Sequence, residues 1–140
     1  MITSRISAAL RREVRERAGG RCEYCLLAES ESFFPHEIDH LISQKHDGET
    51  ATANLALACV DWKKFKGSDI ASLDKLTGQL VALFNPRTQL WADHFCLQGG
   101  EIVPLTSVGR VTERMLRLNL SDRVKKRESL IALGTYPPAI

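Results

Sequence analysis

Apolar positions recur every fourth residue at Ile6, Leu10, Val14 and Ala18 and stop at Gly19-Gly20, which predicts an N-terminal helix over about residues 7–18. Two short apolar runs follow. The first ends in the polar pair Asp39-His40, the second runs from Asn54 to Cys59, and a polar stretch centred on His46-Asp47-Gly48 separates them. A basic segment holding Lys63, Lys64 and Lys66 then closes at Gly67. The order is strand, loop, strand, helix. Beyond Gly67 the pattern shortens to strand-like pieces at 79–84 and 101–105, bounded by Thr77-Gly78, Asn85-Pro86 and Gly99-Gly100. Val108, Val111, Met115 and Leu118 then mark one face of a helix with Ser107 as its N-cap. A last helix is expected from Ser121, as its own N-cap, to Leu133, ended by Gly134 and Pro137-Pro138.

The chain of 140 residues suits one small α+β domain: a core at about 20–70, the helix at 7–18 and a strand-and-helix extension at about 71–134. With 44% hydrophobic and 26% charged residues it reads as a globular chain without a membrane span. The N-terminal stretch lacks the uninterrupted apolar run of a signal peptide, so a cytoplasmic protein is expected. A net charge of +2 does not argue for nucleic acid by itself. Arg5, Arg11, Arg12, Arg15 and Arg17 are interspersed with Glu13 and Glu16 and read as a solvated face, as do Arg123, Lys125, Lys126 and Arg127.

The chemistry points to the strand-loop-strand-helix stretch. Adjacent strand residues face opposite ways, so Asp39 and His40 cannot share one task. If Asp39 holds a hard divalent ion, His40 is free to take a proton from water, the division of labour that metal-assisted phosphodiester hydrolysis needs. Asn54 is suited to orient the imidazole, and Lys63, Lys64 and Lys66 to contact a phosphate backbone.

Together, Cys22-Glu23-Tyr24-Cys25, Ile38-Asp39-His40, His46-Asp47-Gly48, Asn54-Leu55, Cys59 and Lys66-Gly67 resemble an HNH-type endonuclease of the ββα-metal group. Leu83-Phe84-Asn85-Pro86-Arg87 and Trp91-Ala92-Asp93-His94-Phe95 extend the resemblance to about Asn119. It implies a central ββα-metal unit flanked by helices, and a hydrolase that cuts DNA. In that scheme Asp39 binds magnesium or manganese, His40 is the general base, and Asn54 positions it.

Two positions depart from the family pattern. Trp62 stands where the second cysteine of the second knuckle is expected, and Lys63 where the last catalytic-metal ligand is expected. The resemblance implies a structural zinc, to which Cys22, Cys25 and Cys59 supply three of four ligands. Cys96, His36, His46 or His94 would supply the fourth; alternatively, zinc is lost and the Trp62 ring fills its space. At the catalytic ion, a lysine ammonium offers no lone pair. Either Lys63 turns outward to phosphate while Asp39 and a neighbour such as Asp61 keep the ion, or its ammonium replaces part of the metal's work by neutralising phosphate charge; if neither holds, catalysis is impaired. The rival is therefore an HNH-like domain that binds nucleic acid or a protein partner without cutting.

Overall fold

In the computed structural model, which describes residues 5–138, an N-terminal helix α1 (Ala8–Arg17) precedes the antiparallel pair β1 (Glu37–His40) and β2 (Leu55–Ala58), which α2 (Val60–Lys66) follows directly. Two further antiparallel pairs come next, β3 (Ala71–Leu73) with β4 (Leu80–Ala82) and β5 (Phe95–Gln98) with β6 (Glu101–Pro104). The short helix α3 (Trp91–His94) sits between those pairs, and α4 (Ser107–Leu116) and α5 (Ser121–Ala132) end the fold. The architecture is α+β, as expected. No helix among the described residues is long and apolar enough to cross a membrane.

Helix α1 forms where the four-residue period placed it. The Ser7 hydroxyl accepts from the Leu10 amide at 3.1 Å, and Val14 is buried against Ile38, Leu55 and Leu57. Its arginines are only partly a solvated face. Arg17 donates to the Thr52 and Leu55 carbonyls, and Arg15 donates to the His36 carbonyl, so both tie α1 to the strand pair.

The larger core gathers Tyr24, Trp62, Phe84, Phe95, Ile102, Val111, Leu116 and Leu130. Helix α4 connects it, packing against α2, β3, β4 and β6. Gly109 permits the approach: a Cβ there would lie 2.3 Å from the His94 carbonyl oxygen. Buried Thr112 accepts from the Phe84 amide at 2.8 Å and donates to the Val108 carbonyl at 2.7 Å.

Two expected caps move by one residue. Thr106, not Ser107, caps α4, its hydroxyl accepting from Gly109 N at 3.1 Å. Leu120 occupies the N-cap of α5 with no side-chain bond, leaving Ser121 inside the helix. The basic cluster on α5 also divides. Lys125 and Lys126 are exposed, but Arg127 is buried and donates to the Gly100 and Leu118 carbonyls and to Asn119. Strands β3 and β5 and helix α3 were not anticipated. Three- and four-residue elements are too short to display a period.

Candidate nucleic-acid site and cysteine cluster

Strand β1 pairs with β2 so that Asp39 faces Ala56 and His40 faces Leu55 across the ladder. Alternation sends Glu37 and Asp39 to one side, where α2 lies. Lysines three apart on one helix face meet acids two apart on one strand face. The Lys63 ammonium lies 3.3 Å from Glu37 Oε2, and the Lys66 ammonium lies 3.2 Å from Asp39 Oδ2. The seam of the ββα unit is therefore laced by two parallel acid-lysine rungs.

The rungs differ in weight. Glu37 and Lys63 are roughly half exposed, and such pairs contribute about 0–1 kcal/mol. Asp39 and Lys66 are each 2% exposed, and Lys66 also donates to the His40 carbonyl at 3.0 Å. The Tyr24 hydroxyl donates to Asp39 Oδ2 at 3.1 Å. Burial pushes the Asp39 carboxyl up, and the Lys66 ammonium and the Tyr24 hydrogen bond offset only part of that shift. Lys66 thus serves the interior, which corrects its assignment as a phosphate contact.

Asn54 does not touch the His40 ring, as the sequence suggested it would. Its side-chain oxygen accepts from the Ile42 amide at 2.9 Å, and its nitrogen donates to the Ile42 and Glu49 carbonyls at 2.8 Å each. It therefore clamps the loop between β1 and β2. Gly48 lets that loop close, since a Cβ there would lie 1.7 Å from the Ile42 carbonyl oxygen. The ring is held instead by Thr50, whose hydroxyl lies 3.0 Å from His40 Nε2. Thr50 carried no sequence signal, being one of several hydroxyls in a polar loop. Partial burial lowers the His40 pKa, reinforced by the Lys63 and Lys66 charges and opposed by Asp39.

On the other flank, Cys22, Cys25 and Cys59 are buried with their sulfurs all within 4.8 Å of one another, and Cys25 Sγ lies 3.6 Å from Cys59 Sγ. The first knuckle is firmly seated. Glu23 exchanges bonds with Leu57, accepting from its amide at 2.9 Å through the side chain and donating its own amide to the carbonyl at 2.8 Å. The Tyr136 hydroxyl donates to the Cys25 carbonyl at 2.7 Å. The three thiols share charge unevenly. Burial raises Cys22, whereas for Cys25 the effect of burial is outweighed by hydrogen bonding with its neighbours Cys22 and Cys59, which holds it well below the usual thiol range. Cys59 is raised, first by its bonding to Cys22 and Cys25.

Residues 22–61 match the family model described as HNH endonuclease. Over these residues the chain is similar to HNH endonucleases. No curated protein and no solved structure matches the chain. The matched residues contain β1, the clamped loop, β2, the first two residues of α2 and all three buried cysteines, and Trp62, Lys63, Lys64 and Lys66 of α2 follow directly after them.

The donor sets can be tested against the two metals that the family implies. The cysteine cluster could hold a metal ion such as zinc, although it is one donor short of a closed tetrahedron. None of the four proposed completing ligands joins it. His36 Nε2 bonds the Leu27 carbonyl, His94 bonds Thr106, Cys96 is exposed on β5 and His46 is exposed in the loop. The hard-ion site does not fit. Asp39 is committed to Lys66 and Tyr24, and Lys63 supplies an ammonium where a ligand is needed. Asp61 pairs with Arg123 of α5. Among the described residues, no second cluster of His, Cys, Asp and Glu gathers ligand atoms as the cysteines do.

Arg87 and Trp91, farther along the chain, make internal contacts. Arg87 pairs with Glu23, and the Trp91 indole donates to the Tyr24 carbonyl at 2.8 Å while its ring packs on Phe95.

Proposed function

We propose that the ββα unit formed by β1, β2 and α2 binds the phosphate backbone of nucleic acid, DNA in particular, without metal-dependent cutting. The buried Lys66–Asp39 pair carries this reading. A carboxylate already neutralised by an ammonium, and out of water, has nothing left with which to attract a hard cation. Lys63 in the last ligand position adds a second positive charge to the same seam. The charge that disfavours a divalent ion favours phosphate. Lys64 is exposed on α2, and Lys63 is held only by a half-exposed partner that a phosphate can replace.

The test is fluorescence anisotropy of a labelled duplex over a salt series, with wild type beside Lys63→Glu/Lys64→Glu. Wild type should bind with a salt slope steeper by roughly 0.9 per lysine than the variant. Equal binding by the two proteins would remove α2 from the interface.

One observation favours residual hydrolysis as a second reading. His40 is partly exposed, oriented by Thr50 and held below the usual histidine pKa, so its imidazole is neutral near pH 7 and able to accept a proton. In that reading Lys63 would neutralise phosphate charge while His40 activates water.

A further inference from the structure

Trp62 follows Cys59 at the spacing where a second knuckle cysteine would stand, and it is 1% exposed. Its indole N–H has no hydrogen-bond partner, and the residue packs in the same buried cluster as Cys22, Cys25 and Cys59. A buried, unpartnered N–H is costly. It gains its partner when the neighbouring sulfur carries negative charge, as a metal-bound thiolate does. Cys22 Sγ is prepared in the same way, receiving the Tyr24 and Cys25 amides at 3.4 and 3.5 Å.

We propose that Cys22, Cys25 and Cys59 form a three-coordinate site for a soft, thiophilic cation of the monovalent-copper class, with the Trp62 indole closing the corner where a fourth ligand to zinc would stand. Coordination number decides the matter, because the sulfur spacing does not. Zinc–sulfur bonds near 2.3 Å place tetrahedral sulfurs about 3.8 Å apart and trigonal ones about 4.0 Å apart, and a cluster within 4.8 Å accommodates both.

A closed zinc site needs a fourth donor, and no other His, Cys, Asp or Glu among the described residues joins the three sulfurs. Cys22, Cys25, Cys59 and Trp62 are each at most 1% exposed, so the cluster is closed to bulk solvent. Thiolates are soft ligands that suit monovalent copper, and that ion is content with three of them. Binding displaces the thiol protons to solvent, and the N–H groups of Trp62, Tyr24 and Cys25 then meet the charge on the sulfurs.

The experiment uses the full chain, reduced and handled without oxygen, titrated separately with monovalent copper and zinc against chromophoric chelators. Copper-edge X-ray absorption then counts the ligands. Wild type should take up copper at one ion per chain with three sulfur neighbours, and should hold zinc about 100-fold more weakly than Trp62→Cys, which restores the fourth thiolate. Zinc held four-coordinate by wild type as tightly as by Trp62→Cys would overturn the proposal. So would copper with two sulfurs, or no uptake of copper. If Trp62→Cys does not fold, the wild-type sulfur count decides alone.

Discussion

The Lys66 ammonium lies 3.2 Å from Asp39 Oδ2, with both side chains 3% exposed, in the seam between β1 and α2. A buried pair of this kind is weak evidence for stability, but losing one member leaves an uncompensated charge in the interior. Lys66→Met should therefore destabilise the fold by about 3–5 kcal/mol in urea unfolding. The double variant Asp39→Asn/Lys66→Met should recover much of that loss. A near-neutral single variant would mean that the pair is wetter than its burial indicates.

Asn54→Ala should loosen the loop between β1 and β2 more than it lowers global stability. It removes bonds to both backbone groups of Ile42 and to the Glu49 carbonyl, at a cost of about 1–3 kcal/mol. Hydrogen exchange at the Ile42 amide checks this locally. The amide should lose protection in Asn54→Ala and keep it in Thr50→Val, which instead frees the His40 ring.

His40 should titrate below the usual histidine value of about 6.5 in a proton NMR series, because partial burial disfavours its cation. The linkage has a definite sign. Above the unfolded value the ring is neutral in both states and its contribution to stability is fully present. As pH falls through the lower folded value, the unfolded chain takes the proton first and that contribution is lost. His40→Gln should flatten this part of the stability curve. A midpoint at or above the usual value would mean that Asp39 dominates the ring's surroundings.

Asp74 offers an independent check at lower pH. The Arg110 guanidinium donates to both its oxygens, from Nε at 3.1 Å and from Nη2 at 3.0 Å, and with Thr77 it holds the carboxyl well below the usual range. Its contribution is present above the unfolded value near 3.9 and is lost as pH falls toward the folded one. Asp74→Asn should lose stability at neutral pH and show a shallower acid limb in pH-dependent unfolding.

What the sequence revealed of this site follows from what kind of signal each residue leaves. Strand alternation, the helical period of α1 and the cysteine spacing are local patterns, and β1, β2, α1 and the Cys22, Cys25 and Cys59 cluster stand where those patterns pointed. Pairing across elements leaves no such trace. The Lys66 side chain that reaches Asp39 and the Lys64 side chain that reaches solvent sit two positions apart in one basic run, and only the packing of α2 on β1 separates them. Asn54 was visible as a residue with a task, but its partner was not, because three backbone groups of the loop outcompete the imidazole for its amide. Trp62 was recognisable as a departure; that its indole N–H is buried without a partner required coordinates.

Cleavage of supercoiled plasmid across magnesium and manganese, with wild type and His40→Ala side by side, tests most directly whether the Lys66–Asp39 pair has closed the hard-ion site. The expected result is retarded plasmid without nicking above the His40→Ala background in either metal. Nicking that requires the added ion and disappears in His40→Ala would contradict it, and would mean that Asp39 leaves Lys66 to take up a cation.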